Sequence, residues 1–339
     1  MEIWIHSKNR PNKILYKRIK WLGCLILAIT LLWPTGNVWA QKKIKISIAT
    51  GGTGGVFYPY GGIMANVISK YLSDVEATAE VTNASLDNTK LIGAKKVEMA
   101  FIFADMVYEG YIGKPPLFKE KIPIRTIASL YHSNTHIVCL DGKGIDHVKD
   151  LRGRRISTGA PGSGSEIIAL RILEAYGMDP NKDVKRDRLS VAESVGALKD
   201  GKIEAFFWTG GLPTAAILDL SATPGMKIKL LPSGDAIPKI SEKYGPIYFK
   251  ATCPPNIYRG VNYEVSTVGG SNLLVCLASF DENLVYQITK VLFDHKADLV
   301  AGHKTAEELD LKAAVIGSPV PFHSGAIRFY KEKGVKAKF

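Results

Sequence analysis

Residues 44–60 read IKISIATGGTGGVFYPY, and this stretch combines a strand pattern, a glycine turn and a helix pattern. Apolar and polar residues alternate over Ile44–Ile48, which is typical of a β-strand with one buried face. The turn Gly51–Gly55 follows, and from Pro59 the apolar residues recur at helical spacing. A strand, a glycine turn and a helix in this order indicate an α/β fold with parallel strands.

The same pattern occurs twice in the chain. Ile48–Gly54 (IATGGTG) is echoed by Ile156–Gly162 (ISTGAPG) at an offset of 108 residues, and Val97–Phe101 (VEMAF) is echoed by Ile203–Phe207 (IEAFF) at an offset of 106. Two generic strand–helix units can resemble each other by coincidence, but two matches at nearly one offset favour an internal repeat. The sequence therefore predicts two similar lobes.

Further elements complete the two repeats and the segment after them. We predict strands at Glu76–Val81, Met99–Phe103, Ile124–Leu130, Thr135–Leu140 and Ser271–Ala278, and helices at Ser85–Lys95, from the N-cap Asp281 onwards and at His323–Glu332. We expect one lobe from residues 41–133 with 270–339 and a second lobe from 134–269, joined by two connections that act as a hinge. Ligands of open α/β sheets bind outside the carboxyl ends of the strands, so the site is expected in the cleft between the lobes.

Residues 1–40 have the three-part composition of a secretory signal. Basic residues in 1–20 precede an uncharged apolar run of 13 residues, Trp21–Trp33, and small residues lead to Ala40. The run is shorter than the roughly 20 apolar residues that span a bilayer, which disfavours an uncleaved anchor. We expect cleavage after Ala40 and a periplasmic mature protein.

Composition and charge favour a globular protein without a nucleic-acid partner. Hydrophobic residues make up 46% and charged residues 22% of the chain, as in ordinary folded domains. Residues 1–20 contribute +5 of the net charge of +12, so the mature chain is only moderately basic. Three cysteines remain after cleavage, Cys139, Cys253 and Cys276, and an odd number leaves at least one unpaired. Cys139 and Cys276 lie in apolar strand-like runs, so we expect them to be free, buried thiols, with a Cys139–Cys276 pair left open.

The sequence lacks the signatures of catalysis, metal binding and nucleotide binding. It contains no Gly-x-Ser-x-Gly elbow and no His-Glu-x-x-His helix. The turn Gly51–Gly55 lacks the Gly-Lys-Ser/Thr of a P-loop, and the third glycine of a dinucleotide fingerprint would fall at Phe57. His132 and His136 are four residues apart, but in an extended segment this spacing does not bring them together. We therefore expect no enzyme activity, no metal held by these residues and no cofactor, and the sequence leaves open whether a metal accompanies the ligand.

The two glycine turns carry hydroxyl side chains that can meet a ligand. Thr53 and Tyr58 lie in and beside the first turn, where glycine lets backbone N–H groups approach a ligand closely. A tight turn without a ligand is an equal explanation. Gly162–Glu166 places Ser163 and Ser165 at a helix N-terminus, where unsatisfied N–H groups and the helix dipole favour a carboxylate or phosphate. The alternative is N-capping, which needs only one of the two serines.

Further candidates follow predicted strands. Asn83 and Ser85 are either helix caps or residues that face the cleft from the carboxyl end of the second strand. Ser190 is expected to cap its own helix. Trp208, directly before Thr209, is either a core side chain or a wall of the cleft.

Four motifs, taken together, resemble a known family of receptors. Ala49–Pro59, Ala104–Tyr108, Thr158–Gly164 and Phe206–Pro213 look like the solute receptors of the TAXI type of TRAP transporters, in order and over essentially the whole mature chain. The resemblance implies the two-lobed, type II-like α/β fold of periplasmic binding proteins. It also implies a receptor without catalysis that delivers a small organic acid or amino acid, such as a dicarboxylate or glutamate, to a TRAP membrane permease.

The resemblance also implies ligand contacts at eleven positions. They are Thr53, Gly54, Tyr58, Asn83, Ser85, Asp105, Gly162, Ser163, Ser165, Trp208 and Thr209. None of the four motifs contains an arginine, which agrees with a ligand held by hydroxyl and backbone groups. Two other function classes stay open: an exported α/β enzyme acting on a small anionic substrate, and an adhesion or structural module without a small-molecule site.

Overall fold

The computed structural model describes residues 43–337, and its first segment alternates strands and helices as predicted. The elements are β1 (Ile44–Ala49), α1 (Phe57–Tyr71), β2 (Val75–Glu80), α2 (Ser85–Gly93), β3 (Met99–Phe103), α3 (Ala104–Ile112) and the long strand β4 (Ile124–Leu140). Helix α1 begins at Phe57 rather than Pro59, so the glycine turn leads directly into it.

The segment after β4 repeats this alternation and then returns to the first segment. Its elements are β5 (Arg155–Ser157), α4 (Gly164–Ala175), β6 (Lys185–Asp187), α5 (Val191–Lys199), β7 (Ala205–Gly210), α6 (Ala215–Ala222), β8 (Ile228–Leu230), α7 (Ile237–Tyr244), β9 (Phe249–Cys253), β10 (Val265–Leu277), α8 (Glu282–Asp294), α9 (Lys296–Gly302) and α10 (Ser324–Glu332). The Asp281 carboxylate caps α8 by accepting the Leu284 N–H at 2.7 Å, as predicted.

The strands form one mixed sheet in the order β2-β1-β3-β10-β4-β7-β5-β6, with β8 beside β4 and β9 beside β10. Strand β1 is parallel to β2 and β3, and β5 is parallel to β6 and β7. The long strands β4 and β10 are antiparallel to each other, and β4 is also antiparallel to β7 and β10 to β3. Counted from each outer edge, the orders β2-β1-β3 and β6-β5-β7 are the same, so the sequence repeat is also a repeat of topology.

Two matching hydrogen bonds confirm the repeat at the level of single residues. The Glu98 carboxylate accepts the N–H of Ser47 in β1 at 2.7 Å. The Glu204 carboxylate accepts the N–H of Arg155 in β5 at 3.1 Å. Ser47 and Arg155 are 108 positions apart, and Glu98 and Glu204 are 106 apart, which are the two offsets of the sequence echo.

The hydrophobic cores divide at the middle of the two long strands. One group of core residues comes from the chain up to Tyr131 and from the second part of β10 onwards. This group includes the apolar faces of α8 and α10. The other group comes from Ile137–Val268, with Phe103 added from β3. Asn134 pairs with Gly269 where the division falls. We call residues 43–133 with 270–337 the first half, and residues 134–269 the second half.

Strand β4 runs unbroken where the sequence predicts two strands, Ile124–Leu130 and Thr135–Leu140. The residues between them are polar, but Ser133 is buried and paired with β10. Its Oγ accepts a hydrogen bond from Asn272 Nδ2 at 2.6 Å. The polar stretch therefore stays in the sheet, because its side chains find partners there.

The three described cysteines are buried and free, so Cys139 and Cys276 form no disulfide. Burial raises the pKa of Cys139 and of Cys253 to about 11. These thiols stay protonated near neutral pH. The burial of Cys139 and Cys276 agrees with their prediction as small buried side chains.

Within residues 43–337, no helix is long and apolar enough to cross a membrane. The predicted signal peptide, residues 1–40, lies outside the described residues.

Candidate functional site

A cavity of about 300 Å³ lies between the two halves, where strand ends and helix N-termini from both sides meet. The first half lines it with Gly51–Phe57, Val81–Ser85, Phe103, Tyr131 and Asn272, and the second half with Ala160, Ser163–Ser165, Ser190–Glu193 and Trp208–Gly210. Both glycine turns of the sequence repeat reach this cavity, so their facing arrangement is the one that the sequence predicts.

Eight of the eleven predicted contact residues line the cavity. They are Thr53, Gly54, Asn83, Ser85, Ser163, Ser165, Trp208 and Thr209. Tyr58, Asp105 and Gly162 are not among the lining residues. Tyr58 is half-buried in the first turn of α1. The Gly162 carbonyl accepts the Leu86 N–H at 3.0 Å, so this glycine joins the two halves beside the cavity.

The first glycine turn leaves the N-terminus of α1 open toward the cavity. Among the described residues, no side chain caps this helix, and its first turn contains no acidic residue. The partial positive charge of the helix end is therefore not neutralised by the protein itself. Gly55 packs so closely on the Trp208 ring that a Cβ atom there would lie 2.8 Å from Cη2. Glycine is required at this position because a tryptophan from the other half covers it.

The serine hydroxyls of the second glycine turn find their hydrogen-bond partners within the second half. Ser163 caps α4 by accepting the Glu166 N–H at 3.1 Å. The Glu166 carboxylate accepts the Gly162 N–H at 2.8 Å and also pairs with Arg188. Ser165 Oγ accepts the Thr209 N–H at 2.9 Å, which ties α4 to β7. Of the two explanations that the sequence left open, these contacts favour capping, by Ser163 rather than by Ser165.

Helix α2 begins with a strained residue at the cavity wall. Ala84 has φ 68° and ψ −144°, a conformation that residues with a side chain rarely adopt. Ser85 Oγ accepts the N–H of Phe103 at 3.0 Å and so fixes the end of β3. Asn83 is exposed and lines the cavity. Ser85 is thus a structural contact, whereas Asn83 faces the cavity without that role.

Helix α5 presents a capping box and a charge to the cavity. Ser190 Oγ accepts the Glu193 N–H at 3.3 Å, and Glu193 Oε2 accepts the Ser190 N–H at 2.8 Å. This backbone hydrogen bond lowers the pKa of Glu193, so the carboxylate is ionised near neutral pH. Among the described lining residues, Glu193 is the one with a charged side chain.

Trp208 is a wall of the cavity, held from behind by a buried hydrogen-bonded chain. Its Nε1 donates to Thr214 Oγ1 at 2.9 Å, and the Thr214 N–H donates to the Tyr258 hydroxyl at 3.0 Å. That hydroxyl lies 3.0 Å from His136 Nε2. Burial lowers the pKa of His136 to about 4, so it is neutral. His136 therefore supports the wall of the cavity through the Tyr258 hydroxyl.

Sequence reasoning missed several lining residues that come from strands rather than from glycine turns. Tyr131 on β4 and Asn272 on β10 are nearly fully buried and form the floor of the cavity. Both strands pass through both halves, and no local motif marks the positions that face a cleft. Phe57 was noted only as a departure from the dinucleotide fingerprint, although it lines the cavity.

Asp105 lies in a buried ionic cluster instead of the cavity. Its carboxylate accepts a hydrogen bond from Arg171 Nη1 at 3.0 Å, and Arg171 Nη2 donates to Glu109 at 2.6 Å. The Tyr248 hydroxyl contacts both Asp105 and Arg171. Burial raises the pKa of Asp105 to about 6. Because α3 belongs to the first half and α4 to the second, the cluster joins the halves.

The described cavity lining carries no cationic side chain. The described lining residues include no histidine, cysteine, lysine or arginine. The hydroxyls of Ser85, Ser163 and Ser165 each accept a backbone N–H. Within residues 43–337, no three His, Cys, Asp or Glu side chains come together as metal ligands.

Comparison with solved structures finds ligand-binding proteins at low identity. The periplasmic aliphatic sulphonate binding protein SsuA from Escherichia coli is 12% identical, with 85% of this chain and 82% of that chain covered and a TM-score of 0.44. The alkanesulfonate-binding protein SsuA from Xanthomonas axonopodis pv. citri, bound to MOPS, is 13% identical (85% and 90% covered, TM-score 0.48). The GluR0 ligand-binding core from Nostoc punctiforme, in complex with L-glutamate, is 13% identical (76% and 97% covered, TM-score 0.47).

Comparison with family models gives a match over most of the chain. Residues 48–334, which contain both glycine turns and every residue that lines the cavity, match the model of the NMT1-like family. The chain therefore belongs to the NMT1-like family.

Proposed function

We propose that this protein is an extracytoplasmic solute receptor whose two halves are lobes that close on a small organic acid or amino acid. The observation that carries the proposal is the cavity between the halves, to which both repeats contribute the ends of their strands and the starts of their helices. A volume of about 300 Å³ suits a small metabolite. The two long strands β4 and β10 are then the hinge.

The transport partner follows from the sequence motifs. Three of the four motifs shared with TAXI receptors supply cavity residues, and the fourth, Ala104–Tyr108, supplies Asp105 of the buried cluster between the halves. We infer delivery of the ligand to a TRAP-type permease in the membrane. Periplasmic location follows from the signal peptide, with cleavage after Ala40.

A thermal-shift screen of the secreted protein with organic acids and amino acids tests the proposal. A ligand at about 100 times its Kd stabilises the folded state by roughly 2.7 kcal/mol and raises the melting temperature accordingly. The account predicts such a shift without consumption of the ligand. Turnover of an added acid would support the exported enzyme instead, and no shift with any compound would support a structural module.

A further inference from the structure

We propose that the ligand is a monocarboxylate with a hydrophobic body, not a dicarboxylate. This inference rests on the proposed receptor function and narrows its substrate class. The site is the cavity between the halves, and the inference concerns the charge of the ligand that this cavity binds.

The helix ends around the cavity accept one negative charge rather than two. Five helices, α1 to α5, begin at or directly after a residue that lines the cavity. Four of them already hold a carboxylate of their own in the first turn, namely Asp87, Asp105, Glu166 and Glu193. Helix α1 holds none. An anion gains most from the end of α1, because at the other ends the protein's own carboxylates offset the helix dipole.

The open helix end is covered by the second half. A Cβ atom on Gly54 would lie 3.2 Å from the Ala192 side chain, and one on Gly55 would lie 2.8 Å from the Trp208 ring. A carboxylate bound at this turn is therefore removed from bulk water, where its attraction to the helix end is less screened.

A second carboxylate would meet an unfavourable environment. The described lining residues provide no lysine, arginine or histidine to pair with it. Their one charged side chain is Glu193, which carries the same sign. Burying a carboxylate without a partner is costly, and a nearby like charge adds to that cost.

The remaining walls are apolar. Phe57, Phe103 and Trp208 contribute aromatic surface, and Val56, Val81 and Val191 contribute aliphatic surface. Such walls favour a ligand with an apolar body, because the transfer of apolar surface out of water is favourable. A single carboxylate on a hydrophobic chain or ring matches both the charge and the walls.

Calorimetric titration with hexanoate and adipate tests the inference, because both acids have a six-carbon chain and differ by one carboxylate. We expect wild-type protein to bind hexanoate at least about tenfold more tightly than adipate. In Glu193→Gln, glutamine still completes the capping box, so the ratio of the two affinities should shrink by at least about threefold. Asp281→Asn, which changes the cap of α8 at a residue outside the cavity lining, is the matched control and should leave the ratio as in wild type.

Adipate binding as tight as hexanoate binding in wild type would overturn the inference while leaving the receptor function intact. An unchanged ratio in Glu193→Gln would overturn it as well. Failure of every acid in the screen to bind would instead count against the receptor function itself, and the inference would fall with it.

Discussion

Arg171 in the second half donates a hydrogen bond to Asp105 in the first half at 3.0 Å, and both side chains are buried. Arg171 also bonds Glu109 and lies 4.2 Å from the centre of the Tyr244 ring. The helix that carries Arg171 begins at Ser163 and Ser165 in the cavity wall. The ionic cluster therefore sets the position of one wall of the cavity relative to the other half.

Replacing Arg171 tests how much this cluster contributes to stability. Arg171→Met leaves Asp105 buried without a positive partner and leaves Glu109 only the Lys114 ammonium at 3.5 Å. We therefore expect a loss of roughly 3–5 kcal/mol in the free energy of unfolding, measured with urea. Arg155→Met is the control, because its ion pair with Asp187 has the same 3.0 Å separation but is largely exposed. That variant should lose less than about 1 kcal/mol. Equal losses in the two variants would contradict a special role for the buried cluster.

Because the pKa of Asp105 is raised, its contribution to the stability of the folded protein should decrease as the pH rises. Its folded-state value of about 6 lies above the ordinary 3.8, so the folded protein holds this proton more tightly than the unfolded chain. The resulting stabilisation is fully present below about pH 3.8 and is lost as the pH rises to about 6. The stability difference between wild type and Asp105→Asn should therefore fall from about pH 4 to pH 6 and stay level above that. A difference that is constant over this range would show that Asp105 titrates normally.

Replacing Gly55 tests the importance of the contact between the first glycine turn and Trp208. In Gly55→Ala the new methyl group would lie 2.8 Å from the ring, so the halves must separate or the ring must move. We expect ligand affinity to fall by about tenfold or more. Gly62→Ala is the control, because Gly62 lies in α1, the helix that follows the glycine turn, with open space around it. It should raise stability by about 0.5–1 kcal/mol and leave affinity unaffected.

Replacing Ser163 distinguishes helix capping from ligand binding at the N-terminus of α4. Since Ser163 Oγ accepts the Glu166 N–H, Ser163→Ala should lower the free energy of unfolding by roughly 1 kcal/mol. Affinity should change by less than about threefold, because we place the ligand carboxylate at α1. Melting and calorimetric titration of this variant measure both quantities. A tenfold weaker affinity at unchanged stability would place the carboxylate at α4 instead.

The repeat and the glycine turns at the cavity were readable from the sequence because they depend on local chemistry. Glycine turns between strands and helices appear as residue types at fixed spacing, and the echo predicted that both turns reach one site. Asp105 was predicted as a contact from the motif Ala104–Tyr108, and the structure places it in the buried ionic cluster, outside the cavity lining. Its partner Arg171 is 66 positions away, and no local pattern joins the two.

Other parts of the site needed the three-dimensional structure for a similar reason. The choice between Ser163 and Ser165 as the cap depends on the Thr209 N–H, which reaches Ser165 from another strand. Tyr131 and Asn272 reach the cavity because β4 and β10 lie side by side at the centre of the sheet. Strand pairing between distant segments decides both cases.

The fluorescence of Trp208 tests the central claim most directly. Of the five tryptophans in the chain, Trp208 is the one that follows Ala40, so the protein cleaved at that residue has a single tryptophan, in the cavity wall. Titration of this protein with hexanoate should change the intensity or wavelength of its emission in a saturable way, as the ligand fills the cavity and the halves close. Emission that stays constant while calorimetry shows binding of the same acid would place the ligand elsewhere and contradict the account.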